Sequence, residues 1–350
     1  MAGWIEKREF GVTSSGGRAD LYMLSSASGA WVSISNYGGT IVDLQTHDRT
    51  GRLTSAVLGF DDLASYEGAN PFFGATVGRF ANRICEGRFT LDGESYQLPI
   101  NNGPNSLHGG AIGYDKRIWK ATASETANGP ALKMSIYDPH GAEGYPGNVH
   151  VEILFTLTEP ATLVIEYQAT SDAATPINLT NHSYFNLKDA GASPVLDHLL
   201  ELRASRYTPV DWDQIPTGEI ATVEGTPLNF RTAKPIGQDI LKMPAIPPPS
   251  GYDHNIVLDK EPGVLSVGAI LSDPDSGRKM EVWTTEPGIQ FYSGNFLDGT
   301  IVGRGNSYGR YHGVCFEAQH FPDSPNHPNF PSAVLRPGEV YRQRTEYRFS

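Results

Sequence analysis

The sequence predicts an all-β protein, a single domain of packed antiparallel sheets over residues 1–350. Three observations carry that expectation. Short segments with apolar side chains at every second position recur from about residue 31 to residue 349. Gly, Pro, Asn and Asp punctuate them, with 38 glycines and 25 prolines in 350 residues. A 3.6-residue apolar period is nearly absent, and only 60–66 and 236–242 allow a turn or two of helix.

Taken in order, strands are expected at 31–35, 41–45, 88–91, 94–98 and 131–137. The clearest follows: Val149, Val151, Ile153, Phe155 and Leu157 alternate with His150, Glu152, Thr156 and Thr158, broken only at Leu154. Leu163, Ile165 and Tyr167 then alternate with Thr162, Glu166 and Gln168, and Glu159-Pro160-Ala161 between the two runs reads as a hairpin connection. Further short runs lie at 198–202, 255–258, 264–271, 278–284, 289–292 and 314–319. At the C-terminus Tyr341, Tyr347 and Phe349 share one face and Arg342, Arg344, Glu346 and Arg348 the other. The Pro-rich stretch from Met243 to Gly251 has the composition of a linker, but strand patterning continues on both sides, so it reads as a long surface loop. No internal repeat stands out.

Composition narrows the function. The net charge of −12 argues against nucleic acid, since phosphate binding needs a basic surface. There is no basic run, no apolar stretch of transmembrane length, and no secretory apolar core in the first ten residues, so a soluble cytoplasmic protein, monomer or dimer, is the expectation. The two cysteines, Cys85 and Cys315, have neither metal-type nor redox-type spacing, and Cys315 reads as packing. Dinucleotide-binding glycines, a phosphate-cradling loop and a metal signature are all lacking, so no cofactor and no metal is expected.

Polar side chains capable of chemistry concentrate in a few segments. They are Gly78-Arg79-Phe80-Ala81-Asn82-Arg83-Ile84, Asn105-Ser106-Leu107-His108-Gly109-Gly110, Asn178-Leu179-Thr180-Asn181-His182-Ser183-Tyr184-Phe185-Asn186-Leu187, Gly251-Tyr252-Asp253-His254-Asn255, and Phe316-Glu317-Ala318-Gln319-His320-Phe321-Pro322-Asp323. Alone, each is also an ordinary turn or strand. Together they need a broad sheet, on which alternate side chains from many strands share one face. The chemistry they suit is the opening of a sugar hemiacetal, which needs a base for the anomeric hydroxyl and an acid for the ring oxygen. A histidine titrates near neutrality and serves as the acid; Glu317, between Phe316 and Ala318, is a carboxylate whose pKa burial would raise. Asn82, Arg83 and Asp253 are side chains that fix hydroxyls.

The order of these segments, with Asn36-Tyr37-Gly38-Gly39 ahead of them and Pro322-Asp323-Ser324-Pro325-Asn326 behind, resembles the aldose 1-epimerase (galactose mutarotase) family over about residues 10–349. The resemblance implies a β-supersandwich with an open site on a broad sheet. It also implies α/β anomer interconversion of free aldohexoses such as galactose and glucose. It implies His182 as general acid, Glu317 as general base and His108 assisting. Asn82, Arg83, Asp253 and Gln290 would hold hydroxyls, with Ser183 and Tyr184 lining the pocket. Ala318 stands where the family often has threonine, a position not needed for proton transfer. Other functions weighed are a carbohydrate-binding module or inactive relative with the same pocket, an epimerase of phosphorylated hexoses, and a glycoside hydrolase pairing Asp253 with Glu317. A binder needs no proton-transfer pair, and a phosphosugar enzyme needs a basic cluster that 27 Lys and Arg against 39 acids do not supply.

Overall fold

The computed structural model describes residues 3–68, 70–245 and 247–350. Two antiparallel sheets dominate it. The larger has nine strands in the order Lys120–Thr126, Gly129–Asp138, Val149–Thr158, Thr162–Ser171, Tyr341–Phe349, Lys279–Thr284, Ser266–Ser272, Leu199–Leu202 and Lys234–Pro235. The smaller has six: Tyr184–Phe185, Val314–Gln319, Gly288–Tyr292, Asp253–Val257, Arg206–Tyr207 and Ala221–Thr222. A five-stranded sheet runs from Trp4–Val12 through Arg18–Ser25, Trp31–Ser35 and Thr40–His47 to Leu53–Ser55.

The alternating patterns explain the assembly. Val149, Val151, Ile153, Phe155 and Leu157 are all buried, and they meet Leu163, Ile165, Tyr167 and Tyr347 in one core that also takes Ile256, Ile289, Phe291 and Phe316 from the six-stranded sheet. Phe291 and Phe316 stack with centroids 5.8 Å apart. With one face of the six-stranded sheet fixed on the core, the period of two sends Asp253, Gln290, Tyr292, Cys315 and Glu317 to the other. That register creates the site.

Among the described residues helix is confined to Leu63–Glu67, capped by the Asp62 side chain, and to short 3₁₀ turns, including Ile236–Gln238 and Ile240–Lys242. Among the described residues no helix is long and apolar enough to cross a membrane. The strands on either side of the Pro-rich stretch pair directly, Leu199–Leu202 with Ser266–Ser272. The strands Trp4–Val12, Arg18–Ser25 and Lys120–Thr126 go beyond the sequence expectation. Trp4–Val12 is largely solvent-exposed, which leaves no apolar alternation to read.

Candidate active site

A cavity of about 460 Å³ opens on the polar face of the six-stranded sheet. Glu317, Tyr292 and Asp253 rise into it from neighbouring strands, joined by His182 and Tyr184, while Asn82, Arg83 and His108 close one side. His182 is held by its backbone, its N–H donating to Ala75 O at 2.9 Å and its carbonyl accepting from Gly74 N at 3.0 Å. Its ring stacks between Tyr184, at 5.1 Å, and Phe72, at 5.8 Å.

Asn82 and His108 both adopt left-handed backbone, with φ of 62° and 53°. Such conformations cost roughly 1–3 kcal/mol each and persist where surrounding contacts fix them. The fixing contacts here are reciprocal: His108 N–H donates to Asn82 O at 3.0 Å, and Asn82 N–H donates to His108 Nδ1 at 3.1 Å. Gly109 follows at φ +90°, where a Cβ would also collide with the Gly78 carbonyl. The two glycine-containing motifs are therefore one interlocked turn.

Glu317 is 2% exposed, and its Oε1 lies 3.6 Å from His182 Nε2. Its Oε2 is buried with no protein partner among the described residues. Burial, and then the charge of Asp253, push the Glu317 carboxyl well above the usual range, while Arg83 pulls it back. Burial takes His182 the other way, to about 4. Both effects favour the neutral acid–imidazole form of the pair over two buried charges. His108 is also driven well below its ordinary value by burial and by the neighbouring His182.

Arg83 is buried without a carboxylate ion pair among the described residues. Its Nε donates to Asn102 Oδ1 at 3.0 Å and its Nη2 to Gln214 Oε1 at 2.5 Å. Asp253 accepts from Gln290 Nε2 at 2.7 Å and Gln214 Nε2 at 2.6 Å. Gln214 thus bridges the two charged groups. Gln290 pairs across the ladders with Asn255 and Glu317, and its Oε1 is buried without a protein partner among the described residues; it is not among the side chains that line the cavity. Nor is Ser183, whose hydroxyl donates to Asn181 Oδ1 at 2.7 Å. Sequence reasoning missed Gln214, Phe72, Asn102 and the rim residues Trp212 and Phe296. Cys315 is packed in a buried apolar cluster as expected, and its Sγ also sits 3.6 Å from His182 Nδ1.

His108, His182 and Glu317 present ligand atoms within 4.8 Å of one another, the type of set that binds zinc. The hydrogen bonding argues otherwise. A ligating histidine donates from its second nitrogen, but His108 Nδ1 accepts from the Asn82 amide, so the neutral ring carries its proton on Nε2. That nitrogen is a donor, suited to an oxygen of a ligand.

The chain matches the family model described as aldose 1-epimerase over residues 20–348. It is 46% identical to the galactose mutarotase of Bos taurus over 91% of each chain, and 44% identical to that of Rattus norvegicus over 99% of this chain and 98% of the relative. A crystal structure of galactose 1-epimerase from Lactobacillus acidophilus superposes with a TM-score of 0.87 at 29% identity, covering 99% of this chain and 98% of that one. The polar face, the buried carboxylate–imidazole pair and these likenesses converge: the chain belongs to the aldose 1-epimerase family and has the galactose mutarotase fold.

Proposed function

We propose that this enzyme interconverts the α and β anomers of free aldohexoses such as galactose and glucose, with Glu317 as base and His182 as acid. The observation that carries the reading is the buried pair itself, a carboxylate oxygen 3.6 Å from an imidazole nitrogen, with the second carboxylate oxygen unpartnered. Glu317 takes the proton of the anomeric hydroxyl while His182 Nε2 protonates the ring oxygen, and the ring opens to the aldehyde. Rotation about the bond between carbons one and two presents the other carbonyl face. Closure reverses both transfers.

Opening starts from the ionic pair and ends in the neutral one, which burial favours. The protein therefore supports the open-chain intermediate, and substrate has to restore the ionic form for opening. Arg83 supplies the charge that favours ionised Glu317. On this reading Arg83, Asp253 and Asn82 hold hydroxyls that do not react, and His108 donates through Nε2. Gln214 and Gln290 fix Asp253, and Tyr184 forms the wall against which His182 stacks. Cys315 backs the Nδ1 edge, where a weakly basic sulfur keeps the ring oriented without stabilising its charge as a carboxylate would. The proposed partner is a free sugar, handled in the cytoplasm by a monomer or dimer, without nucleic acid, membrane or cofactor. The test is polarimetry of fresh α-D-galactose and α-D-glucose with and without the protein. Unaccelerated relaxation of both sugars would overturn the reading in favour of a binding module.

A further inference from the structure

A second cavity, of about 530 Å³, shares no lining residue with the sugar cavity. It lies where the outward side chains of Thr162–Ser171 and Tyr341–Phe349 meet the turn at Thr285–Pro287 and the residue after Val314–Gln319. Its centre is a fixed acid–imidazole pair. His320 Nδ1 lies 2.6 Å from Glu286 Oε2, and Glu286 is 3% exposed. Both partners are anchored: the Glu286 amide donates to Thr284 Oγ1 at 3.0 Å, and the His320 amide donates to Asn178 Oδ1 at 2.9 Å. Asn178 opens the histidine-containing motif, yet the mechanism does not use its side chain.

Burial works against charge on His320, but the charge and hydrogen bond of Glu286 outweigh it and lift the ring above its ordinary value. With Nδ1 committed to Glu286, Nε2 is the nitrogen left to donate to a ligand. Arg344 is engaged by Glu166 at 3.0 Å and Glu346 at 2.6 Å, whereas Arg342, across the ladder from Gln168, makes no ion pair among the described residues. Tyr167, whose buried hydroxyl has no protein partner among the described residues, is also a lining residue.

The charge balance sets this cavity apart. Its lining sets the carboxylates of Glu166 and Glu286 against Arg342, Arg344 and the His320 imidazole, whose protonated form Glu286 favours, on a chain of net charge −12. The sugar cavity has the opposite balance, Asp213 and Asp253 against Arg83, with burial favouring the neutral form of Glu317. The second cavity is therefore the better suited of the two to an anion.

We propose that this second cavity binds a small oxyanion, the phosphate or carboxylate group of a metabolite, through His320 and Arg342. Charge-assisted hydrogen bonds from a planar guanidinium and an imidazolium recognise that chemistry. The site is independent of the mutarotase assignment.

The test is calorimetric titration with sulfate at low ionic strength, because sulfate keeps its double charge while His320 titrates. Saturable binding is expected, weakening as pH rises through the His320 transition and unchanged by saturating galactose. Arg342→Ala removes an exposed side chain and should leave the fold intact while weakening sulfate by roughly ten-fold, the scale of one lost charge-assisted hydrogen bond. His320→Gln should do the same and also abolish the pH dependence. Parallel titrations with inorganic phosphate and acetate distinguish a phosphate from a carboxylate head group. The absence of saturable binding at millimolar sulfate would overturn the proposal. So would sulfate binding that both variants retain, or that galactose competes away.

Discussion

Gln214→Ala is expected to separate the holding of substrate from proton transfer. One amide ties two charged groups together, accepting from Arg83 at 2.5 Å and donating to Asp253 at 2.6 Å. A hydrogen bond to a charged partner contributes roughly 1.5–3 kcal/mol. Asp253 is only partly buried and the cavity is open, so water replaces much of what the amide supplied. Of the roughly 3–6 kcal/mol that the two bonds supply together, a net loss of about 1.5–3 kcal/mol remains, or roughly 10- to 100-fold in kcat/KM. It should fall mainly on KM, since neither Arg83 nor Asp253 exchanges a proton with the sugar. Gln214→Glu keeps an acceptor for Arg83 but sets a second carboxylate against Asp253, so it too should raise KM. Initial rates of mutarotation at varied galactose measure both parameters, with a thermal melt of each variant as the check on folding. An unchanged KM in Gln214→Ala would refute the bridging role, as would a loss confined to kcat.

Arg83→Ala and Asp253→Asn should raise KM more than they lower kcat in the same assay, and wild-type values in both would remove them from the site. Cys315→Val should lower kcat by roughly 3- to 10-fold with KM kept, because the His182 ring loses its Nδ1 contact, and Cys315→Ser should restore most of the rate; equal rates in all three proteins would return Cys315 to simple packing. Stability should fall as the medium is acidified. His198, 1% exposed and accepting from the Leu187 amide at 3.0 Å, is taken by burial to about 4. Its depressed folded-state value means the unfolded chain binds a proton near pH 6.5 that the folded chain refuses until about 4. This contribution is therefore complete above about pH 6.5 and is lost as pH falls towards 4, on the order of 3 kcal/mol in all. Urea midpoints of wild type and His198→Gln across that range should converge at acid pH; parallel curves would contradict the assignment.

Much of the site was legible because its residues sit in motifs whose bland reading as isolated turns fails when they occur together. Glu317 could be placed from strand alternation alone, since Phe316 and Ala318 must face the core. Asn82, beside Arg83, and His108, beside Gly109, were legible as polar motif residues, but their reciprocal hydrogen bonds were not, because that contact joins separate segments of the sequence. Gln214 was invisible for a related reason. In Asp211-Trp212-Asp213-Gln214 it reads as a turn residue, and only the fold brings it between Arg83 and Asp253. Cys315 was legible as a packing residue, but its neighbour His182 was not, because it comes from a loop far away in sequence. In the fold, the strand Lys120–Thr126 offers only Ala121 and Ala123 to the core, too little apolar surface to mark it.

The central claim is that Glu317 and His182 exchange protons with one sugar as a unit. The most direct measurement is a double-mutant comparison of galactose mutarotation in Glu317→Gln, His182→Asn and the double variant, followed by polarimetry. Each single variant should lose roughly 100-fold or more in kcat, the scale of a missing general acid or base. The double variant should lose little beyond the worse single, since half of the pair cannot complete the transfer. Near-wild-type turnover in either single variant, or strictly multiplied losses in the double, would contradict the paired mechanism.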